Sequence, residues 1–265
     1  MAGTDILTPK AAGMTHRCTV ALLIALLAPL PAAAQFKSNS SLAPPRDGKA
    51  AEGWSGKGEL GIALSKGNTE SESVIGKVDI DFSSARRKFA FGAWGQYAST
   101  DGVQSARRFG SHFTSGWRLD ERRYVYGSLR SERDDFGTYE YQWTATAGYG
   151  YEVLRTDTHR LFFEAGPGYR FAKDQGARVH HKEAIARGLV DWSLKVTDTA
   201  TLTDTLLVEA GRKNTFARNL LGVQVKVNEK LAMKAGLETR YNSDVEPGIV
   251  KTDNLTTVNL VYSFK

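Results

Sequence analysis

Residues 139–152 read YEYQWTATAGYGYE, and the alternation in this stretch decides the fold. Tyr139, Tyr141, Trp143, Ala145, Ala147, Tyr149 and Tyr151 fall on one side; Glu140, Gln142, Thr144, Thr146, Gly148, Gly150 and Glu152 fall on the other. A period of two means an extended strand with one apolar and one polar face. The apolar face is graded, with aromatics at both ends and small residues between. Tyr and Trp rings settle at a membrane–water boundary because each has a greasy end and a wet end. Twelve steps of about 3.3 Å, tilted by about 40°, cover roughly 30 Å, the height of a bilayer core with its interfaces. Soluble barrels also alternate, with their apolar residues pointing inward, but the grading favours lipid. Tyr139, Tyr141, Trp143, Tyr149 and Tyr151 are therefore expected to form an aromatic girdle.

The pattern recurs twelve times from Trp54 to Phe264. Val74, Gly76, Val78, Ile80 and Phe82, for example, alternate with Lys77, Asp79 and Asp81, and the closing strand sets Val258, Leu260, Tyr262 and Phe264 against Asn259 and Ser263. Residues 124–133 alternate less cleanly, and their two faces stay unassigned. Connections after odd strands (66–72, 99–107, 134–138, 172–183, 212–217 and 242–252) are longer on average than those after even strands (83–87, 120–123, 154–160, 197–200 and 228–230). Outer-membrane barrels carry short periplasmic turns and longer outer loops, which places both termini in the periplasm. The expected fold is all-β: a closed antiparallel transmembrane β-barrel of about twelve strands.

Full charges sit on the polar face of most strands. Lys57, Glu59, Lys77, Asp79, Arg108, Arg118, Glu140, Glu164, Arg170, Arg187, Asp191, Lys234, Glu238 and Arg240 are the expected lumen charges. With these inside and the apolar face in lipid, no charge is stranded in hydrocarbon, and closure satisfies every backbone amide. Such a lumen reads in two ways: a basic track for anionic solutes, or a salt-bridged network that fills and rigidifies the barrel. The mixture of signs favours the network.

The chain has 265 residues and a formal net charge of +6, with a mean hydropathy of −0.35, unlike a helical membrane protein. Its basic residues are scattered and match no nucleic-acid-binding motif, so nucleic acid is not an expected partner. Arg17, the apolar run 18–31 and Ala32-Ala33-Ala34 form a signal peptide over 1–34, cleaved before Gln35. Met14 is an alternative start. Residues 35–52, with Pro44-Pro45, read as a disordered periplasmic lead-in, and 53–265 as the barrel. The sole cysteine, Cys18, lies in the leader, so the mature barrel must be stable without a disulfide. Ser111 and His112 are adjacent on one strand and point to opposite faces, which rules them out as a nucleophile–base pair. His159, His180-His181 and Asp134-Asp135 match no catalytic or ligand spacing. No catalytic residue, metal or cofactor is expected. The expected partners are outer-membrane lipid and lipopolysaccharide, through connection cations such as Arg133, Lys173, Lys182 and Lys213, together with the barrel-assembly machinery and periplasmic chaperones. The strands imply no particular oligomeric state.

Several short motifs occur in a fixed order: Gly58-x-x-Gly61, Ser65-x-Gly67-Asn68-Thr69, Asp135-Phe136-x-x-Tyr139-x-Tyr141, Gly148-x-Gly150-Tyr151, Glu164-Ala165-Gly166-Pro167-Gly168-Tyr169 and Val261-Tyr262-Ser263-Phe264. Over 54–264 the chain resembles the YdiY-like family (domain of unknown function 481), whose members are described as salt-induced outer-membrane proteins. The resemblance implies a Gram-negative outer-membrane location and a link to osmotic or envelope stress, and no catalytic residues. One departure is Lys265, which follows the terminal aromatic Phe264. The expected function is a non-enzymatic outer-membrane barrel with an envelope or salt-stress role, including passive passage of small solutes. Alternatives are a narrow channel for anionic solutes, an outer-membrane hydrolase and a soluble periplasmic binding barrel.

Overall fold

A computed structural model describes residues 52–65, 71–175, 179–245 and 250–264. The leader, the lead-in up to Ala51, the Gly67-Asn68-Thr69 motif, Arg178 and Lys265 lie outside these residues. Twelve strands form one closed antiparallel barrel: β1 (Gly53–Ser65), β2 (Ser71–Ser83), β3 (Arg87–Thr100), β4 (Val103–Arg118), β5 (Arg123–Asp134), β6 (Tyr139–Arg155), β7 (His159–Asp174), β8 (His180–Lys195), β9 (Ala200–Gly211), β10 (Thr215–Lys226), β11 (Leu231–Asn242) and β12 (Thr252–Phe264). Each strand pairs with its sequence neighbours, and β1 closes on β12. An even number of strands brings both ends of the barrel to the same side.

Five short turns on that side share one chemistry. Ser84, Asp120, Thr156, Thr197 and Asn228 each open a turn whose backbone N–H bonds to the carbonyl three residues on. The side-chain oxygen of each then accepts an N–H from inside the same turn, at Arg87, Arg122 and Arg123, His159, Ala200, and Lys230 and Leu231 respectively. Short polar side chains that bond their own backbone nucleate such turns. On the other side, the connection expected over 99–107 is in fact a two-residue turn. Asp101 and Gly102 have φ of 51° and 75°, the paired left-handed geometry of a type I′ hairpin, which Asp-Gly favours.

The wall is apolar outside and ionic inside. Leu60, Val78, Phe113, Trp143, Tyr169, Val223 and Leu260 are exposed on the outer surface, while Glu59, Lys77, Arg170, Glu209 and Glu238 are buried within. This arrangement is the reverse of a soluble barrel, and it suits a wall that meets hydrocarbon. Tyr139 departs from the girdle expected of it. The β6–β7 register shifts between Tyr139 and Tyr141, so Glu140 is the extra residue of a bulge and Tyr139 turns inward, 7% exposed. The two-residue period holds only while pairing is regular. The other four girdle residues face outward, with Trp143 the most exposed.

Candidate functional site: the ion-paired interior

Chain order and pleat together place the interior residues. β5 supplies Tyr124, Tyr126, Arg130 and Glu132 to the inside, and in a ring of twelve it stands opposite β11. Arg240 of β11 reaches Glu132 of β5, a contact straight across the lumen between residues 108 apart in sequence. Arg130 crosses from β5 to Glu209 of β9 at 2.6 Å. Arg170 of β7 meets the same carboxylate at 3.4 Å and Glu183 at 2.9 Å. The Phe216 ring lies between the guanidinium groups of Arg130 and Arg240, at 5.2 and 5.4 Å from its centroid. Beside this layer Arg187 bonds Glu164 at 2.8 Å and the Tyr126 hydroxyl at 2.7 Å, and the Tyr124 hydroxyl donates to Glu164 at 2.8 Å. The Tyr124 ring lies across Gly150, where a Cβ would overlap it. Arg170, Glu209 and Glu238 are 2% exposed or less.

Most of the remaining expected lumen charges form pairs near the wall. Lys77 meets Asp79 at 2.9 Å, Lys234 meets Glu59 at 3.2 Å, and Arg108 meets Asp134 at 3.1 Å and Glu132 at 3.5 Å. Asp191 accepts a bond from Thr205 at 2.9 Å, Glu238 lies 3.9 Å from Arg240, and Lys57 is half-buried on the inward face of β1. Two charges are placed elsewhere. Glu140, displaced by the bulge, pairs with Lys173, whose neighbours Phe171 and Tyr169 along β7 belong to the outer wall. Arg118 sits at the barrel end and donates to the carbonyls of Ser84 and Ala85 at 3.4 and 3.3 Å.

Among the described residues, interior charges not identified from sequence include Arg130, Glu132, Glu209 and Arg218, all in or near the central layer. The cause is that β5 turns two tyrosines inward, which disguises its polar face. In β9, Asp204 stands among the apolar outward residues, where it accepts a bond from Asn219 at 2.7 Å. The interior is also partly apolar: Leu189, Leu207 and Phe216 form a buried cluster.

Ser111 and the histidines are placed as follows. Ser111 bonds Ser131 at 3.1 Å on the outer face, while His112 lies on the alternate, inward face of β4. His181 Nε2 lies 2.5 Å from Asp174, and its Nδ1 is 3.2 Å from Lys213 Nζ. The Lys213 ammonium lies nearer Nε2, at 2.5 Å, on the same ring nitrogen that meets Asp174. No group of three or more His, Cys, Asp and Glu fit to hold a metal occurs among the described residues.

The sequence profile of the family described as "Protein of unknown function, DUF481" matches residues 58–264. The chain is 28% identical over 214 residues to the uncharacterized protein YdiY of Escherichia coli strain K12, covering 79% of this chain and 83% of that protein. Among solved structures, the translocator domain of the autotransporter NalP from Neisseria meningitidis is similar with a TM-score of 0.48 and 15% identity, over 81% of this chain and 89% of that one. The NanC porin is similar with a TM-score of 0.45 and 9% identity, over 80% of this chain and 99% of that one.

Proposed function

The chain belongs to the DUF481 family of proteins of unknown function, and from that premise we propose that it is a non-enzymatic outer-membrane barrel with an envelope role, its lumen closed by its own ion pairs. The observation that carries this reading is the Arg240–Glu132 bridge between strands on opposite walls, reinforced by Arg130–Glu209 and Arg170–Glu209. A conducting pore needs a continuous wet path. Here long side chains from facing walls meet in ion pairs across the interior. Removing one member of a buried pair strands the other charge, so the network resists opening.

Single-channel recording in planar bilayers tests the proposal. Wild-type protein is expected to give no steady conductance at any salt concentration, and the double variant Glu132→Ala/Arg240→Ala to open stable steps. A steady, anion-selective wild-type conductance would sink the closed barrel and establish the narrow channel in its place. Fractionation of the envelope on a density gradient tests the location separately. The tie to salt or osmotic stress is read from growth of a deletion strain at raised osmolarity.

A further inference from the structure

The outer wall of β4–β7 carries a groove of about 570 Å³, bounded by Phe113, Leu129 and Tyr169 and floored by Gly127, Ala145, Ala147 and Pro167. The small residues in the middle of the graded strand β6 thus have a structural consequence: they leave a trough in a wall otherwise studded with large side chains. Its upper end is capped by a crown of cations on aromatic rings. One rung above the Ala145–Tyr169 pair, about 7 Å along the strands, Trp143, Phe171 and Lys182 stand side by side. On the next rung are Tyr141, Lys173 and His180.

The Lys182 ammonium lies 5.6 Å from the Phe171 ring centroid, and the Lys173 ammonium 5.9 Å from that of Tyr141. His180 stacks on Phe171 at 5.6 Å and its Nδ1 is 3.4 Å from the Tyr141 hydroxyl. Lys173 is partly neutralised by Glu140. Lys182 makes no ion pair among the described residues and is exposed. β8 runs on past the end of β9, whose last pairing is Ile185 with Gly211, so the crown is open on one flank.

An apolar trough in the hydrocarbon zone beneath two ammonium groups at the interface matches a lipid whose acyl chain hangs from a phosphorylated headgroup. Lysine serves such groups as a point charge, and the ring faces hold each ammonium in place. The cations lie on the side of the longer connections, which faces the outer leaflet. We propose that this wall binds a phosphorylated glycolipid of that leaflet, of the lipopolysaccharide type, with one acyl chain in the trough and a phosphate on Lys173 and Lys182. The choice of leaflet rests on the outer-membrane reading above.

Native mass spectrometry of the delipidated barrel in detergent tests the site, with diphosphoryl lipid A, dephosphorylated lipid A and phosphatidylethanolamine as probes. Wild-type protein is expected to retain one diphosphoryl lipid A and to lose it to a large extent when the phosphates are removed. Lys173→Gln/Lys182→Gln should weaken retention by about 100-fold, at about tenfold for each charge-assisted contact. Ala147→Trp fills the trough without touching the cations and should weaken retention as well. Both sites face outward, and a heat-modifiable gel shift checks that each variant is folded. Equal retention by wild type and the double lysine variant overturns the proposal, as does phosphatidylethanolamine binding as tightly as lipid A. Neither result bears on the closed lumen, which conductance reads at Glu132 and Arg240, nor on the location, which fractionation reads directly.

Discussion

Glu209 neutralises two guanidinium groups in the interior, those of Arg130 and Arg170. Glu209→Ala leaves two guanidinium groups buried without it and should cost about 3–5 kcal/mol, measured as the shift in urea unfolding of the barrel in lipid vesicles. Asp198→Ala removes a partner of Lys195 that is almost wholly exposed and should leave the unfolding midpoint nearly unchanged, because water screens the pair. Equal losses for the two would refute the central layer as a source of stability. Asp120 offers a pH test outside the strands. The backbone N–H of Arg122, joined by the guanidinium and N–H of Arg123, holds its carboxyl below the usual carboxylate range. A lowered folded pKa adds stability above the unfolded value, and that stability is lost as the pH falls through the folded one. The difference between wild type and Asp120→Ala should therefore be constant above about pH 5 and shrink below about pH 4. Charges on cleanly alternating strands, such as Lys77, Arg187 and Lys234, were legible from sequence. Arg130 was not, because Tyr124 and Tyr126 turn inward and disguise the polar face of β5.

At the scale of the strand, the seam is the weak join. β1 and β12 pair only from Gly56 with Phe264 to Gly61 with Asn259, although β1 runs on to Ser65 and β12 begins at Thr252. By contrast, β1 pairs with β2 along its whole length. Unpaired edges exchange and open more readily than paired ones. The sole cysteine, Cys18, is far from this seam in sequence, so engineered cysteines report on it cleanly once that residue is cleaved or replaced. Leu60→Cys/Leu260→Cys, on a paired rung, should form a disulfide readily under mild oxidation. Ile62→Cys/Val258→Cys, one rung beyond the last pairs, should lag well behind. Equal rates on a non-reducing gel would show the seam to be zipped throughout. The turns were more readable than the seam. Ser84, Asp120, Thr156, Thr197 and Asn228 announce the short side, and the Asp101-Gly102 turn rests on a sequence signal as plain as theirs, though the 99–107 stretch around it reads as a long polar connection.

For the molecule as a whole, the test is which surface touches lipid. The sequence holds five tryptophans. Trp143 and Trp117 are exposed on the wall, whereas Trp94 lies inside β3 with the Arg108 guanidinium 5.5 Å from its ring. Lipids with brominated acyl chains should quench single-tryptophan variants that keep Trp143 or Trp117 and spare the one that keeps Trp94. The opposite order would invert the barrel. Sequence alone determined the strands, their number and, outside β5, the character of their two faces, because period, ring chemistry and turn residues are local properties that each segment carries by itself. Only the tertiary structure decided which charges meet. Glu132 and Arg240 are 108 residues apart, and nothing short of joining β1 to β12 sets β5 against β11 across the ring.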